Sequence, residues 1–122
     1  MLPGMAGIFE CQLFSILLTR KLRKYLKELE KRESCDFILY VITPLMEGAY
    51  SIAEVVDDSN KRPEKTIFCV LDKDGDSDKS WSEHQMKSFR SIENMVEYNG
   101  ALVLDDLNEV KEVLNYYNSK KD

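Results

Sequence analysis

Two uninterrupted apolar runs constrain this chain most. Phe37 to Ile42 reads FILYVI, and Thr66 to Leu71 reads TIFCVL. Both are rich in β-branched and aromatic residues, and neither alternates apolar with polar. A strand that is apolar on both faces must be covered on both. That is the condition of a parallel sheet held between layers of helix. Thr43-Pro44 ends the first run, because proline has no N–H to give to a ladder.

The intervening segments supply the helices. Ser51 to Ser59 reads as a short helix with Ile52, Val55 and Val56 on one side, stopped by Lys61-Arg62-Pro63. Ahead of the first run, Leu18, Leu22, Tyr25, Leu26 and Leu29 recur at helical spacing and predict an amphipathic helix to about Glu33. After the second run comes a polar, acidic loop from Asp72 to Ser80. A long helix follows, its apolar stripe marked by Trp81, Met86, Phe89, Ile92, Met95 and Val96. Asn99-Gly100 is a C-terminal stop. Ala101 to Leu104 predicts a third strand. Leu107, Val110, Val113, Leu114 and Tyr117 mark a last helix, with Asp105 or Asp106 as its cap.

Helix and strand therefore alternate, which predicts right-handed crossovers and a parallel sheet with helices on both faces. The expected fold is α/β: a three-layer α/β/α domain on a Rossmann-like, flavodoxin-like sheet. At 122 residues it is one domain, with residues 1–18 as a divergent N-terminal segment.

The charge balance narrows the partners. The net charge is −5, which argues against nucleic acid, since phosphate binding needs a basic face. The one basic stretch, Arg20 to Lys27, is interleaved with Leu22, Tyr25 and Leu26 and reads as a solvated helix face. Cys11, Cys35 and Cys69 are odd in number and lack metal-ligand spacing, so no metal is expected and a reducing cytoplasm fits best. Gly7 to Leu18 is fairly apolar, but Glu10 and Gln12 interrupt it and it falls short of the ~20 residues of a membrane span. Its positive charges follow the apolar stretch, whereas a signal peptide carries them in front. No membrane partner is expected.

In an open α/β sheet, ligands bind beyond the carboxyl ends of the strands. The loops Thr43 to Tyr50 and Asp72 to Ser80 occupy that place. The first leads into a helix carrying Ser51 and Glu54. A carboxylate there has the chemistry of a nucleophile toward a sugar carbon. Ser51-x-x-Glu54 also has the spacing of a capping box, in which both side chains hold the helix's first backbone donors. The two roles compete for the same carboxylate oxygens. Asp72, Asp74, Asp76 and Asp78, with Glu83 beyond, superficially resemble a calcium loop. The glycine is misplaced, however: Gly75 is fourth and Ser77 sixth. A solvated acidic loop is the simpler reading. His84, the one histidine, has no Cys or His beside it at ligand spacing.

The stretch CDFILYVITPLMEGAYSIAEVVDDSNKRPEKTIFCVL, Cys35 to Leu71, resembles the core of the nucleoside 2-deoxyribosyltransferase-like family. An Asp opens a hydrophobic strand. A Gly-containing loop, Ser-x-x-Glu and a Lys/Arg-Pro turn follow before the next strand. SIAEVVDDSNKRPEKT is the most specific part, and the likeness extends from about Tyr25 to the final helix. The resemblance implies cleavage or transfer of the N-glycosidic bond of 2-deoxynucleosides. It makes Glu54 the nucleophile that forms a covalent deoxyribosyl-enzyme, by the two-step logic of retaining transfer. Glu47, Gly48, Tyr50, Ser51 and Glu28 would contact the substrate. Glu28 or Glu30, and Glu47, are the nearest matches to the acid that protonates the departing base. Asp36, at a strand start, is read as structural. The resemblance implies no cofactor. It implies a nucleoside or nucleotide as ligand and a homo-oligomer, for which the pair Tyr116-Tyr117 is a candidate contact.

One part of the family pattern is missing. Met1 to Leu18 contains Gly4 and Gly7 but no Gly-x-Trp-Asn-type loop, so the sheet is expected to be incomplete at its N-terminal strand. Either residues near Ile8 to Leu13 form a replacement strand, or an oligomer partner covers the edge, or the chain no longer catalyses. In the last case it is a non-catalytic nucleoside- or nucleotide-binding or interaction module on the same fold.

Overall fold

The computed structural model describes residues 13–16, as backbone, and 33–120. The described strands are β1 (Leu13–Ile16), β2 (Phe37–Ile42), β3 (Thr66–Val70) and β4 (Leu102–Leu104). They form one parallel sheet in the order β1-β2-β3-β4. The described helices are α1 (Tyr50–Lys61), α2 (Glu83–Tyr98) and α3 (Leu107–Ser119), and a short 3₁₀ turn at Pro63–Lys65 leads into β3.

The apolar runs behave as their composition requires. Ile38 to Ile42 of β2 and all of β3 are buried. Successive side chains point to opposite faces. Ile38, Tyr40, Ile42, Phe68 and Val70 meet Val55 of α1 and Phe89 and Val96 of α2. Leu39, Val41, Ile67 and Cys69 meet Val110 and Leu114 of α3 on the other side. The sheet is thus the middle of three layers, as the α/β Rossmann-like reading has it. The crossovers through α1 and α2 step the same way along the sheet, so one hand of connection puts both helices on one face. Among the described helices, α3, which follows the last strand, folds back over the opposite face.

Three differences from the sequence reading bear on the site, beside shifts of one or two residues at other element ends. The first is β1. Leu13 pairs with Phe37 and Ile16 with Tyr40, so a strand lies beside β2 in residues read above as an undifferentiated apolar run. It overlaps the suggested replacement strand only at Leu13. Four residues are too few to show a strand period against a helical one, which is why the run was ambiguous. The helix expected between Leu18 and Glu33 lies outside the described residues, apart from helical backbone at 33–34.

The second is the start of α1. The helix begins at Tyr50 with Ala49 as its N-cap and no side-chain cap. Ser51 is already inside the helix, so the capping box expected of Ser51 and Glu54 does not form. The third is α2, which begins after Trp81 instead of including it. Ser82 and Gln85 make a reciprocal capping box there: Gln85 N–H donates to Ser82 Oγ at 3.1 Å, and Ser82 N–H donates to Gln85 Oε1 at 2.8 Å. Asp106 caps α3 by accepting from Glu109 N–H at 2.8 Å. At the far end of α2, Gly100 turns the chain at φ +106° and donates to Glu97 O.

Candidate functional site

The carboxyl ends of β2 and β3 carry the two loops named in the sequence. They are tied together. Leu71 N–H donates to Ile42 O at 2.8 Å and extends the ladder by one rung. Just beyond it, Thr43 Oγ1 donates to Asp74 Oδ2 at 2.8 Å and itself accepts from Leu45 N–H at 3.2 Å. Asp74 is thereby held at the strand tips. Gly75, at φ +58°, lets the loop reverse immediately after it. Among the described residues no group of three or more His, Cys, Asp or Glu is placed to hold a metal ion. His84 lies exposed in the first turn of α2.

Helix α1 presents two working faces. Its sheet side buries Ser51, Glu54, Val55, Asp58 and Ser59, spaced at i, i+3/i+4 and i+7/i+8. Glu54 is 3% exposed and Ser51 2%. Glu54 and Val55 share the buried stripe, with Ile52 and Val56, which are partly buried, on its flank. One turn further on, Asp58 is fully buried. It accepts from Tyr40 Oη of β2 and, at 2.8 Å, from Arg62 Nη1. Arg62 also pairs with Glu33, and Lys65 Nζ donates to the carbonyls of Glu33 and Cys35 at 2.7 and 3.0 Å. This cluster fixes the amino end of the sheet, away from the loops.

The other face of α1 lines an open groove of about 920 Å³ shared with α2. One wall is Ile52, Ala53, Val56 and Asn60, with Asp57 beside them. The facing wall is Trp81, Gln85, Ser88, Phe89 and Ile92. Met46, Glu47, Gly48 and Ala49 close the end nearest the strand tips. The Trp81 ring is fixed by an Nε1–H···O bond to Leu71 at 2.7 Å and by Phe89, whose centroid is 4.5 Å away at 59°. Asp57 pairs with Lys61 at 3.0 Å.

The proposed site residues thus divide. Glu47 and Gly48 line the groove. Glu54 and Ser51 are buried on the sheet side of the same helix and do not line it. Tyr50 is 47% exposed at the helix start and is outside the groove lining as well. Glu28 and Glu30 lie outside the described residues. Asp36 sits just before β2. Sequence reasoning missed Asn60, Gln85 and Ser88, and it placed Trp81 on the helix stripe. The signal was present: positions 53, 56, 57 and 60 of one helix face 85, 88 and 92 of the next, each set at i+3/i+4 spacing.

Behind β3 the charges are unfavourable to ionisation. Burial pushes the Cys69 thiol from 9.0 to about 12, and Asp106, Asp105, Glu109 and Glu93 add to the rise. The same acidic neighbourhood raises Glu93, through its own partial burial first and then Asp105. Arg90 opposes that shift and Glu97 adds to it. Cys35 and Cys69 are both buried free thiols. No described helix is long and apolar enough to cross a membrane.

Compared with protein-family models, curated proteins and solved structures, the chain matches none.

Proposed function

We propose that this chain cleaves or transfers the N-glycosidic bond of 2-deoxynucleosides, with Glu54 as nucleophile. The observation that carries this reading is the position of Glu54. It is a carboxylate 3% exposed, in the second turn of the helix that follows β2. Placing a carboxylate out of water is costly, and such groups concentrate where chemistry needs them. Near the strand tips a desolvated carboxylate is a stronger nucleophile than one in bulk water.

In this scheme a Glu54 oxygen forms a bond to the anomeric carbon as the bond to the base nitrogen breaks. The base leaves with the electron pair and takes a proton from an acid. Glu47, on the β2–α1 loop, is the candidate acid among the described residues. A second base, or water, then attacks the same carbon and frees Glu54. The buried Asp58–Arg62–Tyr40 cluster holds α1, and hence Glu54, against β2. The reading includes a cytoplasmic homo-oligomer, which the exposed Tyr98, Leu102 and Tyr116 would suit as contacts.

The test is base exchange between a 2-deoxynucleoside and a different free base, followed by chromatography. Wild type exchanges or releases base; Glu54→Gln does neither while keeping its melting temperature. Quenched wild type carries a deoxyribosyl adduct on Glu54 by mass spectrometry. Full activity in Glu54→Gln would falsify the proposal.

A second reading has its own support. The α1–α2 groove leaves Glu54 outside its lining. That favours a non-catalytic nucleoside-binding or interaction module. This reading requires a ligand-induced rise in melting temperature with no base released over prolonged incubation.

A further inference from the structure

We propose that the α1–α2 groove is a binding site for a flat heteroaromatic molecule without negative charge, distinct from the Glu54 position. Three observations converge on it. The first is size: about 920 Å³ lies within the span of small-molecule sites. The second is the Trp81 ring. Its N–H is committed to Leu71 O and its ring packs on Phe89, so two contacts hold its orientation. An aromatic platform fixed before binding costs little order on binding, and flat rings stack on it. Ile52 and Val56 supply the opposing apolar wall, while Asn60, Gln85 and Ser88 offer donors and acceptors to the edges of a heterocycle.

The third observation is charge. Among the described residues the groove lining holds the carboxylates of Glu47 and Asp57 and no Lys, Arg or His. Asp57 is answered by Lys61, which leaves Glu47 to set the sign at the end nearest the strand tips. Asp72, Asp74, Asp76 and Asp78 follow β3 at that same end of the sheet, offset only by Lys73 and Lys79. A phosphate or carboxylate entering there meets like charge on apolar walls, where repulsion is least screened. The groove therefore admits an uncharged or cationic ring and turns away its anionic counterpart.

The chain has one tryptophan, and it is Trp81, so binding is read directly from its fluorescence. The probes are a purine 2-deoxynucleoside and its 5′-monophosphate. The nucleoside quenches wild type saturably, and the monophosphate binds roughly tenfold more weakly or worse. Raising the salt narrows that difference, and Glu47→Gln narrows it further. Ala53→Leu keeps a good helix former at an exposed position but fills the groove. It loses the quenching while the melting temperature is retained. Equal binding of both probes, or undiminished quenching in Ala53→Leu, overturns the proposal. So does the absence of quenching by the nucleoside, including the case where a second copy of the chain covers the groove. Base exchange measured in the same samples separates the two ideas. Quenching without turnover counts against Glu54 as nucleophile alone, and turnover without quenching counts against the groove alone.

Discussion

Arg62 donates through Nη1 to the fully buried carboxylate of Asp58, one turn earlier on the same chain, at 2.8 Å. The pair closes the C-terminal end of α1 a second time, since Arg62 N–H also donates to Asp58 O at 2.6 Å. Its two ends serve different elements. Asp58 reaches Tyr40 in the sheet, and Arg62 reaches Glu33 ahead of β2.

Removing one partner strands the other. Arg62→Met leaves the Asp58 charge buried without its guanidinium and lowers unfolding free energy by about 3–5 kcal/mol. Asp58→Leu combined with Arg62→Met recovers much of the loss, because two apolar groups need no compensation. Tyr40→Phe removes one donor and costs about 1–3 kcal/mol. Urea unfolding of these proteins, with Asp58→Leu alone added to complete the cycle, measures the losses. Additive losses in the double variant would show that the pair is not coupled.

The Cys69 thiol stays protonated where ordinary thiols ionise. Its folded value of about 12 against 9.0 means that the native state holds the proton more tightly than the unfolded chain does. Stability from this group is complete below 9 and is lost as pH rises from there toward 12. Iodoacetamide at pH 8 therefore leaves Cys69 unmodified in the native protein and labels it in urea, as peptide mass spectrometry reads out. Native labelling at the unfolded rate would contradict the burial.

Glu93 has the opposite practical consequence. Its carboxyl is raised above 4.5, so the folded state disfavours its charge at neutral pH. Protonation relieves this, and the strain is fully present only above the folded value. Glu93→Gln should melt higher than wild type at pH 7, and the advantage should vanish below pH 4.5. A constant advantage at both pH values would point to packing and not to charge.

Gly100 carries two constraints at once. Its φ of +106° is a region L side chains rarely adopt, and an added Cβ would come within 3.2 Å of Pro63 Cβ. Gly100→Ala should cost about 1–3 kcal/mol, seen as a drop in melting temperature. Gly75 has a positive φ but open space around it, so Gly75→Asn should cost much less.

How far the sequence carried depends on what each signal measures. FILYVI and TIFCVL betray burial on both faces, and both strands lie in those runs, the second ending one residue short at Val70. The helices show through 3.6-residue spacing, and Asn99-Gly100 and Asp106 mark their ends through backbone chemistry that is local. β1 was not legible, because LFSI is short and its strand state depends on pairing with Phe37 to Tyr40. The capping box at Ser51 failed for a related reason. Ser51, Glu54, Asp58 and Ser59 look polar and therefore outward, yet tertiary partners such as Tyr40 and Asn99 turn the stripe inward. The groove was half visible: Glu47 and Gly48 were named from their loop. Its α2 wall came only with the packing of two helices side by side.

The fastening at Glu33, Asp58, Arg62 and Lys65 lies wholly at the end of the sheet opposite Thr43 and Asp74. Mechanical security is thus concentrated at one pole of a small body, and the two long loops at the other. Residues 44–49 and 72–80 can be exchanged for other chemistry while the clamp at the far pole keeps the layers in register. A chain built this way can drift in what it recognises long before it loses its shape.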